Sequence, residues 1–364
     1  MIKKMIRAVL FVLGLALMIR FMTEVLRPRS REALSSSYYE IAGKGCDVLF
    51  VGNSLIMNAV YPMQLYEEYG MAGYNLGSGG QSLLESCYLI EDGIRRFHPK
   101  LIVLDTTQLI VRPPVQKIAF LHYLTDNMPP CSLLRTRMIA DFVHSMQYTP
   151  DEAAALMWPI TIYHALWEEM DSLHPSKDPK ADTAGAKVTA KVLTETESFE
   201  PHKADPKATF SELAVETLDR IIRLCEETGT KLCFVSIPLQ SVSQKGYNRR
   251  VDAAGYAERR AGESGIPMFN KIQKAEELGI DKTHDSSDGF HMNAFGSGKF
   301  TSALGAFLHK TFDLPDRRGD SGYAFMDELD KAWRKEKLLR MLETATVADD
   351  RAALQKEAEE NGLV

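Results

Sequence analysis

One long apolar stretch opens the chain, and short apolar runs alternating with amphipathic ones follow it. Lys3, Lys4 and Arg7 precede an unbroken apolar run from Ala8 to Ile19. That run suits the hydrophobic core of a signal sequence; if Arg7 and Arg20 snorkel, Met5 to Met22 reaches membrane-spanning length. No small-residue cleavage site follows, so the pattern favours an uncleaved signal anchor over residues 1–26 rather than a removed signal peptide. Apolar residues surround the whole helix, which argues against a buried soluble helix. Charge does not orient the anchor, because Arg20, Arg27, Arg29 and Arg31 balance the N-terminal cluster. Residues 27–45 read as a stalk.

From Cys46 onward the pattern becomes β/α. Val48–Val51, Tyr74–Leu76, Leu101–Leu104, Lys231–Ile237 and Pro267–Asn270 are short apolar runs of the kind that form buried parallel strands. Between them lie helix signals. Ser82 and Glu85 stand at capping-box spacing before a helix to Phe97. Ala214, Leu218, Ile221, Ile222 and Cys225 share one helical face, with Gly229 placed as the C-terminal glycine. Further helices are predicted near 250–263 and over Asn293–Lys310. The alternation predicts an α/β domain over 46–315, a parallel sheet with helices on both faces. Residues 111–208 interrupt it. The first part carries Met157, Ile160, His164 and Trp167 at helical spacing and reads as a helical insertion, its Trp158/Trp167 region either core or the lining of a substrate groove. Residues 172–208, with Pro175, Pro179, Pro201 and Pro206, read as an exposed loop. Residues 316–364 are a charged, helix-prone tail.

Composition narrows the class without naming it. The 364 residues are 45% hydrophobic and 25% charged, with a net charge of −6, an ordinary globular balance for a chain long enough to need no disulfide or metal staple. No basic excess exists to release phosphate counterions, so a nucleic-acid partner is not expected. Cys46, Cys87, Cys131, Cys225 and Cys233 form no C-x-x-C pair and read as small buried hydrophobes. His98, His122, His144, His164, His174 and His202 lack metal-ligand spacing, and no metal or organic cofactor is expected.

Three segments can carry chemistry. VLFVGNSLIMN puts Gly52, Asn53 and Ser54 at the carboxyl end of a strand, where α/β sheets bind ligands; taken alone, Ser54 could simply cap a helix. YNLGSGGQS, residues 74–82, bares the backbone where it enters a helix, fit for an anion or a developing oxyanion, or merely a flexible turn. It matches neither dinucleotide nor P-loop spacing. DSSDGFHMNAF places Asp288 and His291 three apart before a helix, so that His291 could take the Ser54 proton while Asp288 orients the ring. His284 and Asp285 are the rivals for those two roles.

In this order, the three segments resemble the blocks of the SGNH, or GDSL-type, hydrolase superfamily, over roughly residues 46–110 and 210–312. The resemblance implies a three-layer, flavodoxin-like α/β fold and a serine esterase chemistry. Ser54 would be the nucleophile, His291 the base and Asp288 its partner, with oxyanion donors at the Ser54 and Gly80 N–H groups. Two departures stand out. Asn53 replaces the usual aspartate, and the third-block asparagine is absent from LIVLDTTQL, leaving Gln108 or Thr106 as substitutes for its donor. With the anchor, these features look like the membrane-anchored branch that includes the D-alanyl transfer protein of teichoic-acid modification; alginate O-acetyltransferases are looser relatives. That branch implies an extracytoplasmic domain, an acyl ester of a cell-envelope glycan as substrate and a membrane-bound O-acyltransferase as partner. A non-catalytic scaffold for such a partner and a lipid-directed esterase remain as alternatives.

Overall fold

The computed structural model describes residues 2–27, 34–35, 37–110, 122, 124–129, 132–146, 148–169, 180–193, 199–238, 243–345 and 348–363. Cys131, His174 and parts of both insertion segments lie outside them. In chain order the elements are α1 (Ile2–Leu26), α2 (Tyr38–Lys44), β1 (Val48–Val51), α3 (Ser54–Ala59), α4 (Pro62–Tyr69), β2 (Gly73–Asn75), α5 (Leu83–Phe97) and β3 (Leu101–Asp105). The insertion supplies α6 (Leu133–Met146), α7 (Pro150–Met157) and α8 (Ile160–Tyr163). Then come α9 (Glu212–Thr228), β4 (Lys231–Ser236), α10 (Gln244–Ser264), β5 (Met268–Asn270), α11 (Ala294–Thr311), α12 (Ala324–Thr344) and α13 (Ala348–Glu360).

The five strands pair in parallel in the order β2-β1-β3-β4-β5. Strand alternation divides the sheet between two cores, as a doubly covered sheet requires. Leu49, Val51, Ile102, Leu104 and Phe234 face the side of α5 and α9. Val48, Phe50, Leu101, Val103 and Val235 face the side of α3 and α11. The expected α/β three-layer fold is therefore present. Helix α5 begins with both halves of the Ser82/Glu85 capping box in place, and α9 ends on Gly229 in the left-handed conformation at φ +71°.

Helix α1 is 25 residues long with a mean hydropathy of 2.1 over its most apolar window, enough to cross a membrane. Trp158 and Trp167 are both exposed, so they belong to no core. Trp167, Ile160 and His164 instead border a groove with Met18, Ile19, Met22 and Leu26 of α1.

Three stretches depart from the sequence reading. The stalk contains α2, whose Tyr38, Ile41 and Ala42 join the main core on one i, i+3, i+4 stripe. Part of the supposed exposed loop is a strap: Asn75 N–H donates to Ala184 O, Lys187 N–H to Met57 O and Leu193 N–H to Ser286 O. These bonds come from backbone groups, which composition does not reveal. The charged tail is helical but docked. Trp333 of α12 is fully buried against Tyr61, ring centroids 5.0 Å apart, and Arg317 clasps Asp47 with two bonds of 2.7 and 3.0 Å.

Cys46, Cys87, Cys225 and Cys233 are buried free thiols, each pushed up to about 12 by burial. They pack as hydrophobes and are poor nucleophiles.

If α12 is part of the domain, Trp333→Ala should destabilise the protein by about 3–5 kcal/mol. Urea unfolding measures it; an unchanged midpoint would mean a tail that folds independently of the sheet.

Candidate functional site

Strand order reverses between β1 and β3, and the crevice beyond their carboxyl ends is where such sheets place ligands. Residues 52–54 leave β1 at that point and Asp105–Thr107 leave β3 beside them. A Cβ added at Gly52 would lie 2.8 Å from Asp105 Cβ, so glycine is what lets the two turns touch.

Ser54 is the first residue of α3, not its cap. Asn53 caps the helix: its Oδ1 accepts the Leu55 N–H at 2.8 Å, as an aspartate oxygen would. The departure at this position therefore keeps the turn. The Ser54 N–H stands in the first turn, where no intrahelical acceptor exists, and points toward the positive end of the helix dipole.

Asp288 and His291 sit on a tight turn closed by the antiparallel bridge between Ser286 and Met292. Asp288 Oδ1 accepts the N–H groups of Phe290 (2.7 Å) and His291 (2.9 Å), which folds the turn. The same carboxylate reaches the ring, with His291 Nδ1 3.0 Å from Oδ1 and 2.9 Å from Oδ2. The three-residue spacing thus lets one side chain make the turn and hold the imidazole. A carboxylate only accepts, so Nδ1 carries the proton and Nε2 is left as acceptor. Ser54 Oγ lies 2.8 Å from that nitrogen and donates to it. Burial pushes the Asp288 carboxyl up, but the His291 hydrogen bond and charge and the two backbone donors outweigh it and bring it down to about 2. Asp288 is therefore ionised at any physiological pH. Its side chain remains 47% exposed, so solvent screens the pair.

The rivals are engaged elsewhere. His284 Nδ1 meets Asp285 Oδ1 at 2.7 Å and its Nε2 meets Asp350 Oδ2 at 3.1 Å, while Lys299 Nζ donates to Asp285 Oδ2 at 2.6 Å. That cluster fastens α13 and α11 to the turn.

The glycine segment is pressed onto α3, the helix that Ser54 begins. A Cβ at Gly77 would come within 2.7 Å of Met57 Cβ. Asn75 joins the two pieces: its Nδ2 donates to Ile56 O and Val60 O, each at 2.8 Å, and its Oδ1 accepts the Gly77 N–H at 2.9 Å. Gly80 follows with φ +67°, a conformation that turns its N–H away from regular pairing. The two substitutes for the missing asparagine are spent on bracing. Gln108 is fully buried; its Nε2 donates to Gln81 O (2.8 Å) and its Oε1 accepts from Ser86 Oγ (3.0 Å). Thr106 Oγ1 lies 2.9 Å from Ser236 Oγ, at the end of β4.

Three positioning residues were not singled out from the sequence. Asn75 lies within the glycine segment. Asn58 Nδ2 donates to Ser54 O (2.7 Å) while its Oδ1 accepts from Thr189 Oγ1 of the strap (3.0 Å). Asn293 caps α11 and donates to His284 O at 2.6 Å, fixing the turn that carries Asp288 and His291. All are polar residues beside quoted motifs, and only their burial marks them.

No family model matches the chain, and no curated protein does so either. Solved structures do. One is a presumed acylhydrolase from Bacteroides fragilis, 10% identical, with 76% of this chain and 95% of that chain covered and a TM-score of 0.38. Another is a gut microbial diltiazem-metabolizing enzyme, also 10% identical, with a TM-score of 0.37; 73% of this chain spans 46% of that one.

Asp105, under the site, yields a test of pH dependence. Burial pushes it up to about 6, against hydrogen bonds from the Thr107 hydroxyl and amide and the charge of Arg250. A carboxyl raised above its unfolded value stabilises the fold at low pH, and that contribution is lost as pH climbs from about 4 through 6. Asp105→Asn should therefore gain on the unmodified chain between pH 4.5 and 7.5, by on the order of 2 kcal/mol in urea unfolding. Parallel pH curves for the two proteins would refute a buried, proton-binding Asp105.

Proposed function

We propose that this chain is a membrane-anchored serine esterase or O-acyltransferase of the SGNH type, acting on acyl esters of a cell-envelope polysaccharide from an extracytoplasmic domain. The observation that carries the chemistry is the 2.8 Å contact of Ser54 Oγ with His291 Nε2, whose other nitrogen is held by Asp288. Helix α1 supports the anchor. The polysaccharide substrate, the acetyl group as its ester and a membrane-bound O-acyltransferase partner rest on the sequence resemblance.

In this reading Ser54 Oγ attacks the acyl carbonyl carbon as its proton passes to His291 Nε2. The imidazolium that forms is stabilised by Asp288, already ionised. The carbonyl oxygen becomes an oxyanion facing the Ser54 and Gly80 N–H groups. Collapse of the tetrahedral intermediate breaks the ester bond, and His291 returns its proton to the leaving alcohol oxygen. Water, or a sugar hydroxyl, then attacks the acyl-enzyme with His291 again as base. One donor fewer costs about 3 kcal/mol of transition-state stabilisation, and with Gln108 committed to Gln81 the hole rests on backbone groups. That commitment is what favours a second reading, a scaffold that keeps the fold for its partner.

Hydrolysis of p-nitrophenyl acetate should fall by about 10³-fold or more in Ser54→Ala and His291→Ala, and by about 10²–10⁴-fold in Asp288→Asn. A fluorophosphonate should label the unmodified chain and spare Ser54→Ala. Equal turnover in all four proteins, with no labelling, would leave the scaffold reading standing.

A further inference from the structure

Arg250 lies on α10 between the two turns that carry the triad, and the catalytic reading does not use it. Its guanidinium carbon sits 5.2 Å from the centre of the Phe290 ring, and Phe290 is the chain neighbour of His291. The charge of Asp105, whose side chain packs against Gly52 in the turn before Ser54, also acts on Arg250. No ion pair or hydrogen bond joins Asp105 to Arg250: the carboxylate accepts from Thr107 and acts on the guanidinium only through its charge. The Nη1 of Arg250 is buried without a hydrogen-bond partner among the described residues, yet the side chain as a whole is only partly covered.

A guanidinium withdrawn from water and left without an anion is costly, and stacking on one ring recovers little of that cost. Other partly covered arginines have an anion or a carbonyl in contact. Arg317 clasps Asp47, Arg220 holds Glu91, and Arg135 donates to Thr125 O and Leu156 O. Arg250 makes no ion pair or hydrogen bond among the described residues, although it stands beside Phe290 and within reach of the charge of Asp105. The planar fork matches a carboxylate or phosphate in two parallel bonds.

We propose that Arg250 is a specificity residue that binds an anionic group, carboxylate or phosphate, on the alcohol half of the ester. The choice of half rests on the serine-esterase reading: His291 returns its proton to the leaving oxygen, so the alcohol departs on the imidazole side, where Phe290 and Arg250 stand. The acyl oxygen lies across the site at the Ser54 and Gly80 N–H groups.

The full-length chain in detergent should be assayed with phenyl acetate, 3-acetoxybenzoate, 3-acetoxyphenyl phosphate and monophenyl succinate. In Arg250→Met, kcat/KM for 3-acetoxybenzoate or 3-acetoxyphenyl phosphate, relative to phenyl acetate, should drop at least about tenfold, mainly through KM. Whichever of the two drops further identifies carboxylate or phosphate as the natural group. Arg250→Lys, which keeps the charge without the fork, should fall less and guards against a folding defect. A drop confined to monophenyl succinate would overturn the alcohol-half assignment, and unchanged ratios would overturn the anion site. Calorimetric binding of 3-acetoxybenzoate to Ser54→Ala, with and without Arg250→Met, separates this inference from the catalytic one. Arg250-dependent binding together with no ester turnover by the unmodified chain would sink the esterase and keep the anion site; Arg250-independent binding would sink the anion site.

Discussion

Parallel pairing of β1 with both β2 and β3 is the constraint on which the rest of this structure depends. Parallel strands end at the same edge, so the turns after β1, β2 and β3 are delivered side by side. Ser54, the glycine segment and Asp105 are therefore neighbours although 51 positions separate the first and last of them. The sheet also needs two covered faces, and α11, which lies against α3, brings the turn holding Asp288 and His291 to the same edge.

Hydrogen-bond accounting then shapes the site in detail. A helix start leaves N–H groups without partners, and short polar side chains take them up: Asn53 at α3, Ser82 at α5, Asn293 at α11. Two of these caps lie next to proposed catalytic groups. The residue that satisfies the helix therefore also fixes the reactive side chain. Asn75 and Asn58 extend the same economy inward, each tying α3 to a neighbouring segment through buried amides. Such networks are rigid because any rotation would leave a polar atom unpaired away from water.

The charges divide into two kinds. Arg317 with Asp47 joins distant parts of the chain, and Lys299 and His284 are both partnered by Asp285 close by in sequence. Asp288 is paired with His291, whereas Arg250 has no ion pair among the described residues.

Much of this was legible in the sequence. Strand positions followed from four-residue apolar runs, because a doubly covered strand must be apolar throughout, and β1 spans Val48–Val51 as read. The capping box at Ser82 and the Asp288–His291 spacing are local, and local geometry follows from local sequence. Other features depended on contacts far apart in the chain. Only tertiary structure decided that the strap over 180–193 follows α3, that Trp333 closes over Tyr61, and that Gln108 is absorbed by Gln81 and Ser86. The same holds for Arg250, one of many arginines in the sequence. Its lack of a partner among the described residues is a property of everything around it, which no spacing along the chain records.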